Sequence, residues 1–169
     1  MRTIQAVRQV IYAALTSPQL VYNVNDSDPI TLPIVNVSPR PVWTPAVGGG
    51  QQPPDPYVCF SVGGGSPDAF QNERKLRMQI WVSSNSSTYS PDTEATELYE
   101  AIRFKLHCAD DEPHDDGIPK PSLSRSATAQ TLGVQIRRCR EMNPGAMPAD
   151  YEPRSARWYV SAHYEIVAL

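Results

Sequence analysis

The sequence predicts an α+β fold: about four mainly antiparallel strands in one sheet, two helices packed on one of its faces, and long Pro/Gly-rich loops. Three observations carry this. Two stretches space apolar residues three and four apart, which is one face of a helix. Four stretches alternate apolar and polar residues, which is the period of a half-buried strand. The chain also holds 17 prolines in 169 residues, about twice the usual share, and such segments turn or stay irregular. The length suits one domain over residues 1–169, with extended loops at about 25–55 and 108–130.

The first helix is read in "RTIQAVRQVIYAALTSP", where Ile4, Val7, Val10, Ile11, Ala14 and Leu15 share a face. Pro18 ends it by pushing the preceding residue out of the helical region. "LVYNV", Leu20 to Val24, reads as a short strand. Eight prolines then fall between Pro29 and Pro56, with Gly48-Gly49-Gly50 among them. "ITLPIVNV" has room for a short edge strand, because proline cannot donate to a central ladder. "SPRPVWTPAVGGGQQPPDP" reads as a long, extended excursion anchored by Trp43.

"YVCFSV" and "RKLRMQIWVSS" are the next strands, joined from Gly63 to Asn72 as a hairpin with a long loop. "SPDTEATELYEAIRFKLH" is the second helix. Ser90 suits the N-cap, Pro91 the first helical position, and Asp92 and Glu94 the positive end of the dipole. Its apolar stripe is Ala95, Leu98, Tyr99, Ile102 and Leu106. "TLGVQIRRCREM" reads as a strand with Leu132, Val134 and Ile136 on one side. "NPGAMPADYEPRS" is a loop, and "ARWYVSAHYEIVAL" is the last strand, with Trp158, Val160, Ala162, Tyr164 and Ile166 on one face.

Charge narrows the function. The net charge of −3 argues against a chain that wraps nucleic acid, because phosphates require a basic surface. Residues 1–117 hold 8 Lys/Arg and 14 Asp/Glu, whereas residues 118–169 hold 7 and 4. Such halves neutralise one another within a chain or between copies. Cys59, Cys108 and Cys139 form no CxxC pair, which fits reduced thiols packed as small hydrophobes in a reducing compartment. The apolar run "VIYAAL" is too short for a membrane span or a signal core.

The most chemically suggestive stretch is "HCADDEPHDDG", His107 to Gly117. A calcium loop needs oxygen ligands at alternate positions before a glycine and a glutamate six residues after it, where this chain has Leu123. Zinc needs a second His/Cys pair elsewhere. A solvated acidic loop therefore accounts for it better than a metal site. There is no G-x-S-x-G elbow, and His163 falls on the strand face opposite Trp158 and Tyr164. Gly48–Gly50 and Gly63–Gly65 lack the Lys-Ser/Thr of a phosphate loop. "RRCRE" sets Arg137 with Cys139 and Arg138 with Arg140 on opposite faces, as in ordinary ion pairs or an interface. The sequence shows no catalytic, cofactor-binding or metal-ligating residue set, so an enzyme is not expected.

Read in order, several motifs resemble the tail terminator (tail completion) proteins of long-tailed bacteriophages and gene transfer agents. They are "VIYAALTSPQLVYNV", the "PYV" start of a strand at Pro56-Tyr57-Val58, "LRMQIWVSS", Ala95 to Leu106 within the second helix, and Trp158 to Glu165 in the last strand. The likeness runs from residue 2 to 167, although the stretches at 25–55 and 108–130 are longer than the family's pattern. It implies a structural virion protein of the tail and neck region, assembled in the host bacterial cytoplasm. Such a protein forms a hexameric ring that caps the tail tube, ends tube polymerisation and offers the head–tail joining surface. The implied partners are sister copies, the tail tube protein and a head–tail connector or stopper protein. DNA passes through the lumen without specific binding, with no cofactor and no membrane. Interface residues are expected on the excursions and the arginine strand: Arg40, Trp43, Gln51, Gln52, Asp110, Asp111, Asp115, Asp116, Arg137 and Arg140. The competing readings are a connector or stopper ring of the same neck, a metal-dependent hydrolase using Asp110, Asp111, His114, Asp115 and Asp116, and a monomeric binding module.

Overall fold

The computed structural model describes residues 4–43, 53–68, 71–84, 89–106, 123, 126–142 and 148–168. Side chains are described for all of these except residues 65–68, 71, 72 and 137. Helix α1, Ile4–Thr16, buries Val7, Val10, Ile11 and Leu15, four members of the expected stripe, while Ile4 at its start is 39% exposed. Its last residue is capped from within, the Thr16 hydroxyl donating to the Tyr12 carbonyl at 2.7 Å. Strands β1, Val21–Tyr22, and β2, Ile30–Thr31, then pair as a small antiparallel ribbon of their own. Asn25 and Asp26 turn this ribbon at φ 50 and 58, the left-handed region that these two residue types tolerate.

A 3₁₀ turn, Ile34–Asn36, leads into β3, Val37–Ser38, which runs parallel to the start of β4, Tyr57–Asp68. The Asn36 amide donates to the Pro56 carbonyl at 2.7 Å and ties the two ends of the proline-rich excursion together. Strand β5, Gln71–Ser83, pairs antiparallel with β4, and β8, Arg157–Ala168, pairs antiparallel with β5 over its whole length. Strands β6, Ile136–Glu141, and β7, Asp150–Glu152, both pair with β8, at opposite ends. The main sheet thus has six strands in the order β3-β4-β5-β8-β6, with β7 beside β8.

One face of this sheet is covered. Period two places Val58, Phe60 and Val62 of β4, Leu76, Met78, Ile80 and Val82 of β5, and Val160, Ala162, Tyr164 and Ile166 of β8 on the same side, all buried. Helix α2, Pro91–Leu106, lies on β5 and β8 and buries Ala95, Leu98, Tyr99, Ile102 and Leu106. Helix α1 lies on β4, and a short α3, Ala127–Leu132, packs beside α1. Each large apolar side chain removed from water here contributes about 1.5–3 kcal/mol, which is what holds the helical layer to the sheet. Two buried polar links cross the same layer. The Tyr22 hydroxyl donates to Glu94 at 2.8 Å. Tyr99 donates to Glu141 at 2.5 Å, with the Arg103 Nε 3.0 Å from the same carboxylate.

The structure corrects four expectations. The sheet holds six strands and not about four, because β3 and β7 are two and three residues long, too short to show a period. The described helices number three and not two. Thr131 and Leu132 belong to α3 and not to a strand, because the Ser126 hydroxyl caps the helix by accepting from the Ala129 N–H at 3.1 Å, and Gly133 closes it at φ 61. Gly63 to Asn72 is not one long loop, since β4 and β5 continue to Asp68 and from Gln71 across a register shift between Gly64 and Pro67. Within the loops expected at 25–55 and 108–130, β2, the 3₁₀ turn and β3 fall in the first, and α3 begins in the second. Within these two loops, 44–52, 108–122 and 124–125 lie outside the described residues.

Candidate functional site

The uncovered face of the sheet is the most distinctive surface of the molecule. It is built by the alternate residues of the strands that bury the core. Pairing sets Tyr57 beside Trp81 and Trp81 beside Tyr159, then Cys59, Gln79 and Ser161, then Ser61, Arg77 and His163. The three aromatic rings form a ladder, with centroids 6.2 Å apart for Tyr57 and Trp81 and 4.8 Å apart for Trp81 and Tyr159. Cross-strand aromatic pairs of this kind stabilise a sheet by up to about 1 kcal/mol each. The Arg157 guanidinium stands 5.0 Å from the centre of the Tyr57 ring and 3.6 Å from Asp55. Burial pushes the Tyr57 phenol up to about 12, so it remains a neutral hydrogen-bond donor through the physiological range.

The turn between β7 and β8 closes this end of the face. Ala156 adopts φ 52, a left-handed conformation that costs a residue with a Cβ about 1–2 kcal/mol. It is held there by Ser84, whose backbone N–H and hydroxyl donate to the Ala156 carbonyl at 3.0 and 2.7 Å. Glu152 accepts from the N–H groups of Arg154 and Ser155 at 3.1 and 2.6 Å. The tight turn keeps Arg157 at the edge of the aromatic ladder.

At the β4 side, the segment after β3 folds back over the sheet. Pro41, Val42, Cys59, Ser61, Arg77 and Gln79 line a shallow groove of about 280 Å³. Cys59 is only 2% exposed although it points to the open side. Burial pushes its thiol up to about 11, against a hydrogen bond from the Trp43 backbone. Cys59 is therefore a protonated, poorly nucleophilic thiol, as is expected of a cysteine packed as a small hydrophobe. Cys59 and Cys139 are both free and buried, and Cys108 lies outside the described residues.

Basic side chains gather on this face. Lys75, Arg77 and Arg140 are exposed, and Arg138 is paired with Glu165 at 2.6 Å. The open side of the sheet thus has aromatic rings at one end, arginines toward the other and a groove along its β4 edge. It can bind a partner by shape and charge. Among the described residues no group of three or more His, Cys, Asp or Glu side chains could hold a metal ion. His163 is exposed on this face, as its alternation with Tyr164 predicts.

Of the ten expected interface residues, the structure brings two near this surface. Arg140 lies on it, and Trp43, half-buried, hydrogen-bonds the Cys59 thiol through its backbone. Arg40 is exposed in the same segment. Arg137 lies in β6. Gln51, Gln52, Asp110, Asp111, Asp115 and Asp116 lie outside the described residues, as do His107, Cys108 and His114. Sequence reasoning missed Lys75, Arg77, Tyr57, Trp81 and Tyr159. Their signal was present as the polar half of each alternating strand, but only the pairing register shows that they meet. No helix of the described residues is long and apolar enough to cross a membrane. No family model matches the chain, and no curated protein matches it.

Proposed function

We propose that this chain is a structural component of a long-tailed phage particle, a ring-forming tail terminator that caps the tail tube and offers the surface for head joining. The observation that carries the reading is the ordered set of motifs from residue 2 to 167, from "VIYAALTSPQLVYNV" to the Trp158–Glu165 strand. Two physical features support it. The helices lie on one side of the sheet, and no described helix covers the other, a broad, partly aromatic, basic side suited to docking. The charge is also uneven, which favours contacts between unlike surfaces of identical copies.

The test is solution mass by light scattering, with and without chelator, followed by addition to growing tail tubes. A hexamer, or a monomer that becomes a ring on tube ends and stops their elongation, is the expected result. A ring that binds the head connector but leaves tube length unchanged would assign the chain to the stopper side of the joint. A monomer destabilised by chelator and able to turn over a substrate would remove the structural reading.

A further inference from the structure

The open sheet face carries more basic than acidic side chains, the outer side of α2 carries more acidic than basic ones, and each also carries an exposed apolar residue. On the open sheet face, Lys75, Arg77 and Arg140 are exposed, and Glu165, across the strands from Lys75 and Arg140, is ion-paired to Arg138. Beside them the groove holds Val42, 66% exposed. On the opposite side, the outer surface of α2 presents Glu97, Glu100 and Phe104 at spacings of three and four, one stripe of a helix, with Arg103 3.5 Å from Glu100. Phe104 is 57% exposed. Asp92 adds a further carboxylate at the start of the same helix.

Resting on the ring reading above, we infer that the outer face of α2 in one copy docks onto the open sheet face of the next. Glu97 and Glu100 meet Lys75, Arg77 and Arg140, and Phe104 enters the groove beside Val42. The donor and acceptor surfaces are different patches of one chain, which makes the contact head-to-tail, and such a contact forms a ring where the rotation between neighbours closes. The outer side of α2, 16 residues long, is about 24 Å by about 10 Å, so it fits on the sheet face and forms one part of the contact between neighbours. Burying these arginines against a neighbour's carboxylates also keeps them out of a DNA-conducting lumen, where they would hold phosphates.

Charge reversal tests it. One variant carries Lys75→Glu, Arg77→Glu and Arg140→Glu, and a second carries Glu97→Lys and Glu100→Lys. Each alone is expected to keep the wild-type circular dichroism and thermal midpoint while weakening assembly at least ~10-fold. Mixed in equal amounts, the two variants are expected to rebuild a ring of wild-type mass, because each reversed face then meets a complementary one in alternation. If the triple variant fails to fold, Arg77→Glu and Glu100→Lys as single changes, and Phe104→Ser, carry the same test. Rings of wild-type strength from both variants, or no recovery on mixing, would overturn the inference while leaving the ring reading intact. A wild-type chain that never forms a ring, in solution or on tubes, defeats both. A monomer whose retention of a labelled single-stranded oligonucleotide is abolished by Arg77→Glu would make the open face a nucleic-acid site instead.

Discussion

Tyr164 is fully buried on the covered side of the sheet, and its hydroxyl has no hydrogen-bond partner among the described residues. Burial, with Glu141 opposite on β6, pushes the phenol far above its usual range and keeps it neutral. An unsatisfied buried hydroxyl costs about 1–3 kcal/mol. Tyr164→Phe is therefore expected to stabilise the protein by about 1 kcal/mol, seen as a thermal midpoint raised by a few degrees. A lowered midpoint would show that the hydroxyl is bonded. Cys59 sets a pH dependence. In the folded chain its thiol stays protonated up to about 11, against 9.0 for an unperturbed thiol. The folded state then binds more protons than the unfolded state between those values, so stability falls as pH rises through that window and is unaffected below it. Urea denaturation from pH 7 to 11 is expected to show a shallower alkaline loss in Cys59→Ala than in wild type. The Tyr57 phenol, raised from 10.0 to about 12, keeps a residual slope in both.

At the scale of elements, the long ones were legible in the sequence and the short ones were not. The apolar stripes of α1 and α2 and the alternation of β4, β5 and β8 each repeat over three or more periods, so local pattern and tertiary burial agree. β3 and β7 exist because a neighbour, β4 or β8, offers a ladder to pair with, and nothing within two or three residues encodes that. Helix α3 is an intermediate case. Its Ser126 cap and Gly133 closure were present as signals, but six residues are too few to stand out against the strand that follows. An isolated helix of this length is unstable in water, so its caps and its packing beside α1 share the load. Ser126→Ala is expected to cost about 1 kcal/mol, measured as a shift of the urea midpoint with unchanged slope. A neutral result would assign α3 to packing alone.

For the whole molecule, the basic side chains of both halves of the chain meet on one face of the sheet. Lys75 and Arg77 come from the acidic half, yet register sets them on the face that also receives Arg138, Arg140 and Arg157 from the basic half. Asn36, Pro56 and the β3–β4 ladder join the chain on either side of the stretch from residue 44 to 54. Its deletion is expected to preserve the circular dichroism spectrum and to impair ring formation or tail joining. Assembly and joining at wild-type levels would show that the segment is not a contact.

The sequence by itself determined the α+β class, the two long helices, the long strands and the face of each that turns inward, because those depend on periodicities of 3.6 and 2.0 and on the removal of apolar side chains from water. Only the tertiary structure decided which outward residues become neighbours. The aromatic ladder, the basic cluster and the groove beneath the Pro41–Trp43 segment are assembled from residues up to about a hundred positions apart, and their juxtaposition is set by strand order and register, which no local pattern encodes.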